Sequence, residues 1–159
     1  ELQVNDLIVA ERIVDVESSA EFLPDQQWLQ LAQNISVSEN YKVISGKLVT
    51  ANKVIHSPLD KKEFGERLSA QAVEMETSAI AKVVTDKNLP FLSVRAISDS
   101  VEQEILDSSS FLGSDGKISK LKAGWYVLTH PGSIASALSL RSQTQRATRT
   151  MTEFVLHLL

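Results

Sequence analysis

Residues 72–99, AVEMETSAIAKVVTDKNLPFLSVRAISD, leave this chain few folds to adopt. An apolar approach ends in Glu74-Met75-Glu76. A helix-patterned stretch follows and is stopped by Asn88 and Pro90. A second apolar run, Phe91–Ile97, ends in Ser98-Asp99. The segment reads as strand, helix, strand, with carboxylates where each strand stops. Open α/β sheets hold ligands in crevices outside strand carboxyl ends, where polar side chains can face a cavity. The pattern therefore predicts an α/β fold with a small polar-ligand site.

The remaining elements agree with that class. Leu7–Val14 is aliphatic and β-branched and predicts a strand. Trp28, Leu31, Ala32 and Ile35 recur at helical spacing and predict a helix from Asp25 to about Asn34. Tyr41–Ala51 alternates around Gly46, as a strand with a bulge or kink would. Lys53–Ile55 is a short extended piece, Asp60–Leu68 a polar helix and Gln71–Met75 a strand. Glu76–Lys87 predicts a helix whose buried stripe is Ala79, Ile80, Val83 and Val84. Phe91–Ile97 predicts a central strand covered on both faces, with Ser93 and Arg95 as its polar interruptions. Ser100–Gly116 is polar and ends in a Gly-Ser-Asp-Gly turn. Residues 117–159 predict a helical tail with one stripe of Ile118, Leu121, Trp125 and Leu128. Pro131-Gly132 interrupts it, and Ala147, Met151, Phe154, Val155 and Leu158 form a second stripe. Strands alternating with helices before a helical end argue a single α/β domain over residues 1–159.

Composition removes several function classes. The 159 residues are 43% hydrophobic and 23% charged, enough for one domain with a core. No apolar run approaches the ~18 residues of a membrane span. Zero Cys excludes a disulfide scaffold and thiolate metal sites, and fits a cytoplasmic protein. His56, His130 and His157 are isolated, so no metal and no cofactor are expected. No G-x-G-x-x-G, Walker A or G-x-S-x-G sequence occurs. Residues 1–116 carry 10 basic and 19 acidic side chains, whereas residues 117–159 carry six and one. The basic tail reads as a solvated helix face. Its alternative is a membrane-surface contact through Trp125-Tyr126 and Arg141, Arg146 and Arg149. No aromatic-interleaved basic patch supports nucleic-acid binding.

Five residues in the key segment bear on chemistry on their own terms. Asp99 ends a strand, where partial desolvation favours a general acid; a turn or cap residue is the plainer reading. Glu76 opens a helix, where the macrodipole favours an acid and where two acceptor oxygens suit a vicinal diol. Glu74, two residues earlier, shares a strand face with Glu76. Arg95 lies inside an apolar strand and needs a partner, for which Glu74 or Glu76 would serve. Met75 is soft packing against either a sugar or the core.

Together these stretches resemble a known family. AVEMETSAIAKV followed by PFLSVRAISDS is similar to the signature of the nucleoside phosphorylase/nucleosidase superfamily, in particular the 5′-methylthioadenosine/S-adenosylhomocysteine nucleosidases. Val4-Asn5-Asp6-Leu7-Ile8-Val9 resembles that family's first motif strand. Thr50-Ala51-Asn52-Lys53-Val54-Ile55 sits where the family lines its base pocket, with Lys53 and the lack of a glycine and an acid as departures. The tail is similar to phosphorylase-like proteins associated with hopanoid synthesis, which act on an adenosyl-lipid.

The resemblance implies a three-layer α/β/α fold with a mixed central sheet. It implies cleavage of the N-glycosidic bond of a purine nucleoside by water, or by phosphate as second candidate nucleophile, in a homo-oligomer such as a dimer. It also implies roles. Asp99 would protonate or hydrogen-bond the purine at N7, with Ser98 orienting it. Glu76 would hold the ribose hydroxyls, beside Glu74. Met75 would pack on the sugar, and Ile55 and Val54 would line the base. The family carries its water-activating Glu in an N-terminal segment that precedes these motifs. The chain is therefore expected to be the C-terminal portion of such a domain, with a non-catalytic nucleoside-binding module as the alternative.

Overall fold

The computed structural model of the chain describes residues 2–36, 40–104 and 132–159, the first turns of the last helix by backbone alone. In chain order the elements are β1 (Leu7–Asp15), β2 (Glu21–Phe22), α1 (Gln26–Gln33), β3 (Val43–Thr50), α2 (Pro58–Leu68), β4 (Ala72–Glu74), α3 (Thr77–Asp86), β5 (Val94–Ala96) and α4 (Gly132–Leu158). The strands form one mixed sheet in the order β2-β1-β3-β4, with β5 also on β1. β1, β3 and β4 run parallel; β2 and β5 pair antiparallel with opposite ends of β1's other edge.

β1 is the buried centre. Leu7, Ile8, Val9 and Ala10 are fully enclosed. Between Ala10 and Arg12 the register against β3 slips, so Glu11 bulges out opposite Gly46 and Lys47. A one-residue slip exchanges the two faces of a strand. Leu7 and Val9 accordingly join one core with Leu29, Ala32, Tyr41 and Phe154, beneath α1 and α4. Ala10 and Ile13 both join the other, with Leu48 and Ala81, beneath α3. The predicted irregularity at Gly46 is present, but the extra residue is on the neighbouring strand.

Three expectations about burial are corrected. The buried face of α1 is Leu29 and Ala32, while Trp28 and Leu31 face outward. The two stripes differ by one residue and fit the helical period equally. The rotation is set by the entry: Asp25 donates its N–H to Phe91 O at 2.9 Å and caps the N–H groups of Gln27 and Trp28 with its carboxylate. In α3 the buried residues are Thr77, Ser78 and Ala81, and Ile80 and Val83 point away from the sheet, Ile80 at 60% exposure. Hydrogen bonds at its first turn fix that rotation. The strand within Phe91–Ile97 is three residues long, half-buried and at the sheet's edge rather than its centre.

α2 begins at Pro58, two residues before the expected start. Ser57 caps it by accepting from Asp60 N–H, and Pro58 fits the first helical position because its missing N–H would have no partner there. α4 lays Phe154 into the first core, flanked by Met151 and Leu158; Ala147 is also buried, while Val155 faces out. The polar stretch beyond residue 104, the Ile118–Leu128 stripe and Trp125-Tyr126 lie outside the described residues.

Candidate active site

A cleft of about 1020 Å³ crosses the face of the sheet that α3 shares. Its floor is Ile44 and Leu48 of β3 and Ala72 of β4. Its walls are the segment after β3, the helix α2, the β4–α3 junction and the segment Arg95–Val101. Val54, Ile55, Glu74, Met75, Glu76, Ser98 and Asp99 all line it. These residues come from three stretches of chain separated by about 20 residues each. The cleft spans the sheet rather than sitting outside one end, because β5 is antiparallel: Asp99 follows it near the start of β1, whereas Glu74 ends a parallel strand.

The two glutamates have different surroundings. Glu74 accepts from Thr50 Oγ1 at 2.5 Å and from the backbone N–H groups of Glu76 and Thr77 at 2.8 Å each. Burial pushes its pKa up, but the hydrogen bonds from Thr50, Glu76 and Thr77 outweigh that and hold it below the ordinary carboxylate value. It acts as the cap that α3 otherwise lacks. Thr50 Oγ1 also accepts from Ser78 N–H at 3.0 Å, and Ser78 Oγ donates to Asp15 at 2.6 Å. This chain joins the ends of β1, β3 and β4 to the first turn of α3. Glu76 lies at the N-cap position but makes no capping hydrogen bond with its side chain. Its side chain is 65% exposed against 6% for that of Glu74.

Arg95 links the two. Its guanidinium is 3.3 Å from Glu76 and 3.8 Å from Glu74, a pairing made at the sheet's edge with the arginine half-solvated rather than enclosed. Met75 is exposed toward the cleft. On the opposite wall, Ser98 Oγ donates to Asp99 Oδ1 at 2.8 Å and Lys61 Nζ donates to Asp99 Oδ2 at 2.6 Å. Lys61 and the Thr50–Ser78–Asp15 chain are what sequence reading missed. Neither carries a local signal, since their partners lie 24 to 63 residues away. Among the described residues no group of three or more His, Asp or Glu side chains could hold a metal ion, and no helix is long and apolar enough to cross a membrane.

The cleft thus combines an open carboxylate, a held carboxylate and apolar lining residues. The model of the phosphorylase superfamily matches residues 1–123. The chain belongs to that superfamily. Among curated proteins it is similar to the 5′-methylthioadenosine/S-adenosylhomocysteine nucleosidase of Staphylococcus haemolyticus, 30% identical over 138 residues, 74% of this chain and 59% of that protein. It is also similar to the aminodeoxyfutalosine nucleosidase of Helicobacter pylori, 28% identical over 119 residues, 65% of this chain and 52% of that protein. Among solved structures, the Colwellia psychrerythraea nucleosidase in complex with adenine superposes with a TM-score of 0.67 at 17% identity, covering 99% of this chain and 60% of that one. The Neisseria meningitidis nucleosidase in complex with methylthio-immucillin-A gives 0.67 at 20% identity, over 99% and 62%. This superfamily member thus has the three-layer fold with a mixed sheet, and spans a little over half the length of the relatives it matches.

Proposed function

We propose that this chain supplies the base- and ribose-holding part of an enzyme that cleaves the N-glycosidic bond of an adenine nucleoside, such as methylthioadenosine or S-adenosylhomocysteine. The observation that carries the reading is the convergence of the three stretches on one cleft, with Glu76 open and Asp99 fixed. Glu76 accepts hydrogen bonds from the ribose hydroxyls, and Arg95 holds its carboxylate in place. Met75 packs on the sugar, with Glu74 framing that wall. Ile55 and Val54 line the base. Ser98 and Lys61 orient the Asp99 carboxyl group toward purine N7; the group takes up a proton from solvent and passes it to N7 as the bond breaks.

The chemistry follows from that placement. As the C1′–N9 bond breaks, its electron pair moves into the purine and the sugar becomes oxocarbenium-like. Protonation at N7 lets the base leave neutral, and a carboxylate beneath the sugar favours the developing positive charge. Water then gives the free sugar; phosphate gives the sugar 1-phosphate.

The test is product analysis with the native-length protein and methylthioadenosine, S-adenosylhomocysteine or an adenosyl-lipid, in buffers with and without phosphate. The reading predicts free adenine. A phosphate-independent yield of free sugar assigns water as nucleophile, and a phosphate-dependent yield of sugar 1-phosphate assigns phosphate. Adenosine-class ligands that bind but release no base in either buffer would contradict it.

A further inference from the structure

Lys61 is a buried ammonium in the wall of this cleft. Its side chain is 8% exposed, and lysine is rarely enclosed unless its charge is paired. Here the pairing is complete. Nζ donates to Asp99 Oδ2 at 2.6 Å, to Gln103 O at 2.7 Å and to Ser100 O at 3.1 Å, three acceptors for three N–H groups. No residue of α2 is fully buried as a whole; Lys61 lies on its half-buried face with Phe64, Gly65 and Leu68, and its ammonium is the part that reaches inward.

That geometry fixes Asp99 from both sides. Ser98 holds Oδ1 at 2.8 Å and Lys61 holds Oδ2, so the plane of the carboxyl group cannot rotate freely about its χ angles. The same ammonium ties the backbone just after Asp99 to α2 through the carbonyls of Ser100 and Gln103. Without it, the carboxyl group would keep a single hydrogen bond from its neighbouring serine, and the turn that carries it would lose its anchor.

We propose that Lys61 is a positioning residue for Asp99: it aims the carboxyl group at the base without touching substrate. This rests on the reading of Asp99 as the group that acts on N7. Misplacement of a reacting group by about 1 Å costs ~10²-fold in rate, which sets the size of the effect.

The experiment measures kcat and KM for adenine release from methylthioadenosine by the native-length protein as wild type, Lys61→Met, Asp99→Asn and the double variant. Thermal melts report whether each is folded. The expected result is a Lys61→Met enzyme that is folded, has kcat reduced ~10²-fold and has little change in KM. Adding Lys61→Met to Asp99→Asn should cost no further rate, because both act through one carboxyl group. Should Lys61→Met fail to fold, Lys61→Gln, which keeps an amide donor, is read by the same pattern. Undiminished kcat in the folded lysine variant, beside a crippled Asp99→Asn, overturns the role of Lys61 alone. So does a loss that multiplies fully in the Asp99→Asn background, since a lysine that merely supports the fold would behave that way. Undiminished turnover in Asp99→Asn overturns the reading of Asp99 and this inference with it.

Discussion

Glu74 and Glu76 are two residues apart, and the fold gives them separate tasks. Glu74 is enclosed, with hydrogen bonds from Thr50, Glu76 and Thr77, whereas Glu76 is open to the cleft. Their variants should diverge. Glu74→Gln keeps the shape but replaces an acceptor oxygen with a donor facing N–H groups, and should cost about 1–3 kcal/mol by urea denaturation. Glu76→Gln should leave the unfolding midpoint nearly unchanged and weaken nucleoside binding, read as a raised KM. The reverse pattern would mean that the roles are exchanged. Sequence singled out both acids because the E-M-E triplet is local. It could not separate them, because a strand reading puts both side chains on one face, and the chain leaves the extended conformation at Glu76. Lys61 was invisible for a different reason: its partner is 38 positions away and α2 reads as plainly polar.

Elements were legible in existence and less so in rotation. β1, α1, β3, α2 and α3 all lie where periodicity and capping residues put them. The buried stripes of α1 and α3 were misplaced because anchors at their first turns, not apolar content, set which face meets the sheet. In α3, Thr77, Ser78 and Ala81 sit inward while larger apolar residues point out. β5 was overestimated because an apolar run of seven residues shows no sign of which part pairs. The bulge at Glu11 has a testable counterpart at Gly46. A Cβ there would lie 2.7 Å from Gln71 Oε1 and 2.9 Å from its Cγ. Gln71 is an exposed side chain that can swing away only by giving up the hydrogen bond its Oε1 accepts from Lys47 N–H at 2.7 Å. Gly46→Ala should therefore destabilise the protein by about 0.5–1.5 kcal/mol, and Gly46→Ala with Gln71→Ala should lose less than the sum of the two changes. An additive double variant would contradict the close approach.

At the scale of the whole molecule, the polar chain that joins three strand ends to α3 also predicts how stability responds to acid. The hydrogen bond from Ser78, with others from Ser18 and the Glu17 backbone, holds Asp15 below its ordinary value of 3.8, against a smaller upward push from burial. Glu74 is likewise held below 4.5. A depressed native pKa contributes stability that is fully present above the unfolded value and lost as pH falls through the native one. Urea midpoints should therefore be insensitive to these groups near neutrality and fall below about pH 4.5. Ser78→Ala should be less stable than wild type at pH 7, with the gap narrowing below pH 3.8. A gap that holds constant down to pH 2 would mean that the hydroxyl does not act through Asp15.

The fold class and the two signature stretches around Glu74–Glu76 and Ser98-Asp99 were readable from sequence because their patterns are local, and residues 50–55 were placed by position. Their meeting on one cleft was not, because it depends on β5 running back along β1. In the function proposed above, this meeting sets Asp99 against the leaving base. That placement is tested most directly by the rate of adenine release from methylthioadenosine in the native-length protein with Asp99→Asn, at saturating substrate. An amide cannot deliver the proton, so kcat should fall ~10²–10⁴-fold with the nucleoside still bound. Adenine released at the wild-type rate would contradict it.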